Sequence, residues 1–204
     1  MITCLSRTLD DADYAQLADE LRYVDHQGIA GQHPARRWEY ALALHAIGRW
    51  VATGRTPIWV YNAGGGSSFS AMLDDWLPHP PLEVAPAFIE RCVAGTPLAN
   101  VVLLLAALEH AVHPEQLLYG ASTLLTPGGL LVLTMAFWNR CGEDTALYHE
   151  RRQRIYCPKL VSALRQQAEA LGLTPFGGVD PTWHGTQVHD HTLTSLVLQK
   201  RERW

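Results

Sequence analysis

The sequence is poor in charge. Asp, Glu, Lys and Arg make up 18% of its 204 residues, against about a quarter in ordinary globular domains. Neither sign dominates, since 16 basic residues face 20 acidic ones for a formal net charge of −4. A generally basic surface of the kind that neutralises phosphates is therefore excluded, and nucleic acid is disfavoured as a partner. Cysteine is scarce as well. Cys4, Cys92, Cys141 and Cys157 are the four, and no pair has the CxxC spacing of a zinc knuckle or a dithiol redox site. Met1-Ile2-Thr3-Cys4-Leu5 runs straight into Arg7 and Asp10 without a leader pattern. The expectation is a soluble cytoplasmic protein that does not rely on disulfides. Long apolar runs are missing too: the longest, 101–108, is far too short to span a bilayer, so no membrane partner is expected. Repeats, low-complexity tracts and linkers are absent, and the chain reads as a single domain, 1–204.

Apolar residues are plentiful, at 48%, which is enough to bury a full core. Seven tryptophans stand in this weakly charged background. They fill a core or furnish a surface that meets a protein partner or a second copy of the chain. Apolar positions Tyr14, Leu17, Leu21 and Val24 have helical spacing, with a capping box at Thr8 to Asp11. A second helix starts at Pro34, carries Tyr40, Leu44, Ile47 and Val51 on its apolar face and stops at Gly54. These two helices, 1–55, are expected to pack on an α/β core, 56–204.

The core alternates. Strands are expected at 58–61, 82–85, 101–105, 130–134 and 192–199, with helical segments at 67–76, 87–93, 114–125 and 158–171. The run 101–105 is continuously apolar and rich in Val and Leu, as in a parallel strand covered on both faces. Such alternation means a mainly parallel sheet flanked by helices. Ligands of these sheets lie beyond the carboxyl ends of the strands, where the strand order switches. Asn62-Ala63-Gly64-Gly65-Gly66-Ser67-Ser68 follows the first of these strands and lies at that place. Glycines there let the backbone turn and let a ligand approach main-chain amides. The nicotinamide pattern GxGxxG is not met, because Phe69 stands where its third glycine belongs.

Three segments, in order, resemble the class I S-adenosylmethionine-dependent methyltransferases. They are the glycine loop, the run Val101-Val102-Leu103-Leu104-Leu105-Ala106-Ala107-Leu108-Glu109-His110 with His113-Pro114-Glu115, and Leu124-Leu125-Thr126-Pro127-Gly128-Gly129-Leu130-Leu131-Val132-Leu133-Thr134. The resemblance spans about Trp38 to Lys200. It implies a Rossmann-like sheet of seven strands, or six given the short middle of this chain, with the last strand antiparallel. It implies S-adenosylmethionine as cofactor and methyl transfer to an acceptor, small molecule or protein, that the sequence does not name. Gly64, Gly65 and Gly66 would hold the methionine part, and Leu108 and Glu109 would line the floor. Glu39, on the helix before the first strand, would reach the methionine end.

The chain departs from the family pattern at definite places. Asn62 stands where the loop usually opens with an acid, and Ser68 where it usually closes on glycine. Alignment puts Ala85 at the acid that holds the ribose hydroxyls. Glu83, two residues back and about 6.5 Å away by strand rise, is the substitute. The stretch between Gly66 and Asn100 is too short for a clear third strand and its acidic loop. These departures favour an alternative function, a catalytically degenerate methyltransferase fold serving as a structural or interaction module.

His110 is the candidate general base, since an imidazole titrates near neutrality. Arg151, Arg152 and Arg154 are candidates for an anionic substrate group. The stretch His184-Gly185-Thr186-Gln187-Val188-His189-Asp190-His191 is read as a polar substrate mouth or plain loop histidines, with no metal site expected.

Overall fold

The computed structural model describes residues 4–7, 15–28, 34–57, 59–92, 98–138, 145–148, 151–180 and 192–202. Near the amino terminus, strand β1 (Cys4–Arg7) precedes helices α1 (Ala18–His26) and α2 (Pro34–Val51). The alternating part runs β2 (Val60–Ala63), α3 (Gly66–Asp74), β3 (Leu82–Glu83), α4 (Pro86–Glu90) and β4 (Ala99–Leu105). A 3-10 turn (Leu108–His110), α5 (Pro114–Leu124) and β5 (Leu125–Phe137) follow. The remainder is β6 (Thr145–Tyr148), β7 (Arg151–Arg154), α6 (Pro158–Ala170), β8 (Leu173–Pro175), β9 (Gly178–Asp180) and β10 (Thr192–Lys200).

One six-stranded sheet, ordered β3-β2-β4-β5-β10-β8, forms the centre. β3, β2, β4 and β5 pair in parallel, and β10 is antiparallel to both its neighbours. This is the Rossmann-like architecture expected from the sequence, in its six-stranded form. Among the described residues no strand lies outside β3, so the short middle of the chain leaves β3 at the sheet edge.

Period-two alternation divides the side chains of the central strands between two cores. Val101, Leu103, Leu105, Leu130 and Val132 pack with α1, α2 and α3 on one face. Val102, Leu104, Leu131, Leu133 and Met135 pack with α4, α5 and α6 on the other. Both faces are covered, which is why these strands read as continuous apolar runs. α2 is buried almost all round, from Trp38 to Leu44 and again at Ala46, Ile47 and Trp50. α1 closes its outer side with Leu17, Leu21 and Val24, as the spacing of these residues predicts. No helix among the described residues is long and apolar enough to cross a membrane.

Several details differ from expectation. Val51 is 39% exposed and does not belong to the apolar face of α2, whereas its neighbour Trp50 is buried and donates to the Gly128 carbonyl of β5 at 2.9 Å. The first core strand lies two residues later than expected, since pairing with β4 continues to Ala63↔Leu104. Asn62 and Ala63 are thus strand residues. β5 begins at Leu125, and residues 126–129 form an irregularity within it: Ala99 pairs with Leu125 and Val101 with Leu130. Gly128, at φ 76, makes that excursion possible. Cys92 is a free thiol, whereas Cys157 is disulfide-bonded. A disulfide depends on tertiary proximity that cysteine spacing does not reveal. The Thr8–Asp11 capping box and Tyr14 lie outside the described residues.

α4 and α5 touch at a glycine. A Cβ built on Gly120 would lie 1.8 Å from the Ile89 carbonyl oxygen. Helix propensity alone predicts that Gly120→Ala stabilises by about 1 kcal/mol. The close approach predicts the opposite, a loss of about 1–3 kcal/mol from overpacking against backbone. A lowered urea midpoint is expected, and a raised one would contradict this packing.

Candidate functional site

From β2 the chain turns to β3 on one side, and β4 then crosses to the other. The strand order therefore switches between β2 and β4, and the crevice beyond their carboxyl ends is the default ligand position for such a sheet. Three segments border it: the glycine loop after β2, residues 105–110 after β4, and the first turns of α2.

Asn62 is fully buried and its amide organises the loop. Oδ1 accepts the Gly65 N–H at 3.2 Å, while Nδ2 donates to Ser70 Oγ at 2.9 Å and to the Gly66 carbonyl at 3.4 Å. An uncharged amide supplies both donor and acceptor here, which a carboxylate cannot. Asn62 is thereby committed to the protein. Gly64 adopts φ 95, and a Cβ there would lie 2.0 Å from the Leu105 carbonyl oxygen. Glycine at this position is dictated by the approach of the β2 loop to the end of β4. Gly66 is different, with φ 73 and open space where a Cβ would be. Tyr40, assigned by sequence only to an apolar face, also shapes the loop. Its hydroxyl donates to the Gly65 carbonyl at 2.6 Å and its ring stacks on Phe69 at 4.4 Å.

Glu39 sits behind this loop, 1% exposed. Its Oε1 accepts from Thr134 Oγ1 at 2.7 Å, and its Oε2 accepts from Arg36 Nη1 at 3.0 Å. Thr134 Oγ1 in turn accepts the Ala106 N–H at 3.0 Å. Ala106 has φ 49, a left-handed conformation that a non-glycine residue rarely holds without such support. Arg36 Nη1 also donates to the Gly64 carbonyl at 3.2 Å and reaches the Leu105 carbonyl at 3.5 Å. Burial pushes the Glu39 carboxyl above its usual range, and Arg36 and Thr134 offset part of that rise. Sequence reasoning singled out Glu39 but missed Arg36 and Thr134. The signals were there: Arg36 lies three residues before Glu39, on the same helix face, and Thr134 closes the Pro-Gly-Gly segment.

On the floor, Leu108 is fully buried and Glu109 nearly so. Glu109 Oε2 accepts the Ala136 N–H at 2.6 Å, tying the 3-10 turn to β5. His110 is half exposed, with Nε2 3.7 Å from Glu109 Oε1. Glu83 ends β3 in register with Asn62, and it is exposed. Ala85 lies beyond the strand, at the N-cap of α4. The structure thus brings Glu39, Asn62, Gly64, Gly65, Gly66, Leu108, Glu109 and His110 to the carboxyl ends of β2 and β4, with Glu83 at the end of the neighbouring β3. Residues 184–191 and the side chains of Arg151 and Arg152 lie outside the described parts, and Arg154 is half-buried in β7. Of the tryptophans, Trp38 and Trp50 are buried, while Trp59 and Trp76 are about half exposed.

The buried carboxyl gives a pH test. Because its pKa is higher in the folded chain than in the unfolded one, the contribution of Glu39 to stability is complete below the ordinary carboxylate range. It is lost as pH rises through the folded value. The stability of the wild type relative to Glu39→Gln is therefore expected to fall as pH rises above the ordinary carboxylate range. A difference that is flat with pH in urea denaturation would contradict the burial of this acid.

No family model matches the chain, and no curated protein is significantly similar to it in sequence. Solved structures are similar in fold. An S-adenosylmethionine-dependent methyltransferase from Clostridium acetobutylicum matches with a TM-score of 0.57 at 8% identity, over 93% of this chain and 98% of that one. The 1,6-didemethyltoxoflavin-N1-methyltransferase of Burkholderia thailandensis was solved with 1,6-didemethyltoxoflavin and S-adenosylhomocysteine bound. It matches at 0.53 and 15% identity, over 95% of this chain and 92% of that one. The (4+2)-cyclase SpnF matches at 0.53 and 12% identity, over 99% and 100%. The sheet order, the glycine loop after β2 and these similarities together show that the chain has the class I S-adenosylmethionine-dependent methyltransferase fold.

Proposed function

We propose that this protein binds S-adenosylmethionine in the crevice between β2 and β4 and transfers its methyl group to a small-molecule or protein acceptor. The observation that carries the proposal is the convergence of the glycine loop, the 3-10 turn and the first turns of α2 on the switch point of the sheet. The open space at Gly66 and the exposure of Gly64 leave main chain accessible to a ligand there. The fold match to a methyltransferase holding S-adenosylhomocysteine supports the same ligand.

In this reading the cofactor supplies a methyl group on a sulfonium, and the protein supplies position and exclusion of water. Gly64, Gly65 and Gly66 line the methionine end. Leu108 and Glu109 form the floor. Glu83 is the one carboxylate at the end of β3, where ribose hydroxyls would lie, and its exposure leaves it able to turn toward them. His110, at the mouth, takes a proton from the acceptor nucleophile, a task suited to an imidazole in contact with solvent. Asn62 keeps the loop in shape and does not touch the ligand.

A second reading has its own observation. Among the described residues the sheet stops at β3, Ala85 stands past its end, and Trp59 and Trp76 are exposed. These favour a degenerate fold acting as an interaction module in the cytoplasm, as an oligomer or with a protein partner. The match to a cyclase also shows that this fold serves chemistry other than methyl transfer.

Calorimetric titration with S-adenosylmethionine and S-adenosylhomocysteine separates the readings. Micromolar binding of both is expected. Absence of heat up to millimolar ligand, in folded and ligand-free protein, would refute cofactor binding and leave the interaction module.

A further inference from the structure

Tyr156 is a buried phenol that nothing in the protein uses. Its main chain is fixed at the carboxyl end of β5: its N–H donates to the Ala136 carbonyl at 2.9 Å and its carbonyl accepts the Trp138 N–H at 2.7 Å. The pairing of β4 with β5 ends at Leu105↔Thr134, and Tyr156 takes the place beside β5 that β4 gives up. The same Ala136 gives its N–H to Glu109 Oε2 at 2.6 Å. One residue of β5 therefore sets Tyr156 beside the turn that carries Glu109 and His110, and β7 packs on that turn. The ring of Tyr156 belongs to the core on the α4, α5 and α6 face. The residue is 4% exposed, and its hydroxyl makes no hydrogen bond. A buried hydroxyl left in that state is costly, and such groups call for a partner. Burial raises its pKa and Arg154 offsets part of the rise, so the phenol remains a donor at neutral pH.

Arg154 is the second group. It precedes Tyr156 by two residues of extended chain, which puts both on one face, and its guanidinium is close enough to act on the hydroxyl. It is part-exposed and has no ion pair among the described residues. The acids nearby are occupied. Glu109 holds the Ala136 N–H and faces His110 at 3.7 Å, and Glu115 faces His113 at 3.4 Å. A phenol donor and a guanidinium on one face, with no acceptor of their own, fit an anionic oxygen group.

We propose that Arg154 and Tyr156 form the acceptor subsite, and that the acceptor is a small carboxylic acid whose carboxylate they hold while its nucleophile faces His110. The inference rests on the methyl-transfer reading above and names its substrate class. Arg154 is the open end of the subsite and Tyr156 the closed end. A hydroxyl this deep is within reach of a small molecule and out of reach of a protein surface. The ring is already locked in the core, so the hydroxyl needs no ordering when the acid arrives.

The test uses the full chain saturated with S-adenosylhomocysteine and two probes of one shape, benzoate and benzamide. Calorimetry is expected to show benzoate binding at least about tenfold more tightly than benzamide. Arg154→Gln is expected to weaken benzoate about 10- to 100-fold, and Arg154→Lys, which keeps the cation, to recover part of that loss. Tyr156→Phe is expected to weaken benzoate about three- to tenfold. In ligand-free protein the same change is expected to raise the urea midpoint, because it removes an unpaired hydroxyl and keeps the ring. A lowered midpoint would mean that the hydroxyl serves the fold, and would overturn the inference. Losses for S-adenosylhomocysteine as large as those for benzoate would overturn it as well. If the wild type binds benzoate no better than benzamide, or binds neither, the inference falls and the cofactor reading stands. If S-adenosylhomocysteine itself does not bind, the cofactor reading falls and the inference with it.

Discussion

The Glu39 carboxylate is the constraint on which the crevice depends. An acid this deep in a fold costs several kcal/mol unless it is paired and hydrogen-bonded. Its partners come from far apart in the sequence: Arg36 from its own helix, Thr134 from β5 and, through Thr134, the main chain of Ala106 after β4. Satisfying one buried acid therefore fixes α2 against the carboxyl edge of the sheet. It also holds Ala106 in a left-handed conformation at the point where the chain leaves β4. Removing any one partner would strand a buried polar group, so the arrangement holds together as a unit.

The glycine loop depends on the same edge from the other side. Gly64 is pressed against the carbonyl of Leu105, which Arg36 also reaches. Tyr40 holds the Gly65 carbonyl, and Asn62 holds the Gly65 N–H. The loop is therefore fixed by protein contacts, and its glycines have separate duties. Gly64 allows the backbone of β2 to meet that of β4. Gly66 provides a turn with room beside it. The end of β3 lacks this bracing, since Glu83 is exposed at an edge that no described strand covers.

Much of this architecture was legible in the sequence, for physical reasons. Strands buried on both faces must be continuously apolar, and 101–105 and 130–134 are nearly so. Helices start and stop where the backbone allows it: Pro34, Pro114 and Pro158 stand at first helical positions, and Gly172 follows the end of α6. The site was legible where the chain is locally distinctive, at the glycines and at Glu109-His110. It was not legible where long-range contact decides. Asn62 looks like a weakened acid in the sequence, yet it is the residue whose amide meets both the donor and the acceptors of the loop. Gly120 looks like a flaw in a helix, yet Ile89 requires it. Arg36 is one of two adjacent arginines, and only the tertiary structure separates them. Arg37 pairs with Asp25 of α1, whereas Arg36 enters the crevice.

The proposed cofactor site lies at one seam, where β2, β4 and α2 meet around a buried acid. The most direct measurement is amide hydrogen exchange of the full chain with and without S-adenosylhomocysteine. Slowed exchange is predicted to be confined to residues 36–40, 62–66 and 105–110. Protection that spares these segments and appears elsewhere would contradict a cofactor site at this seam.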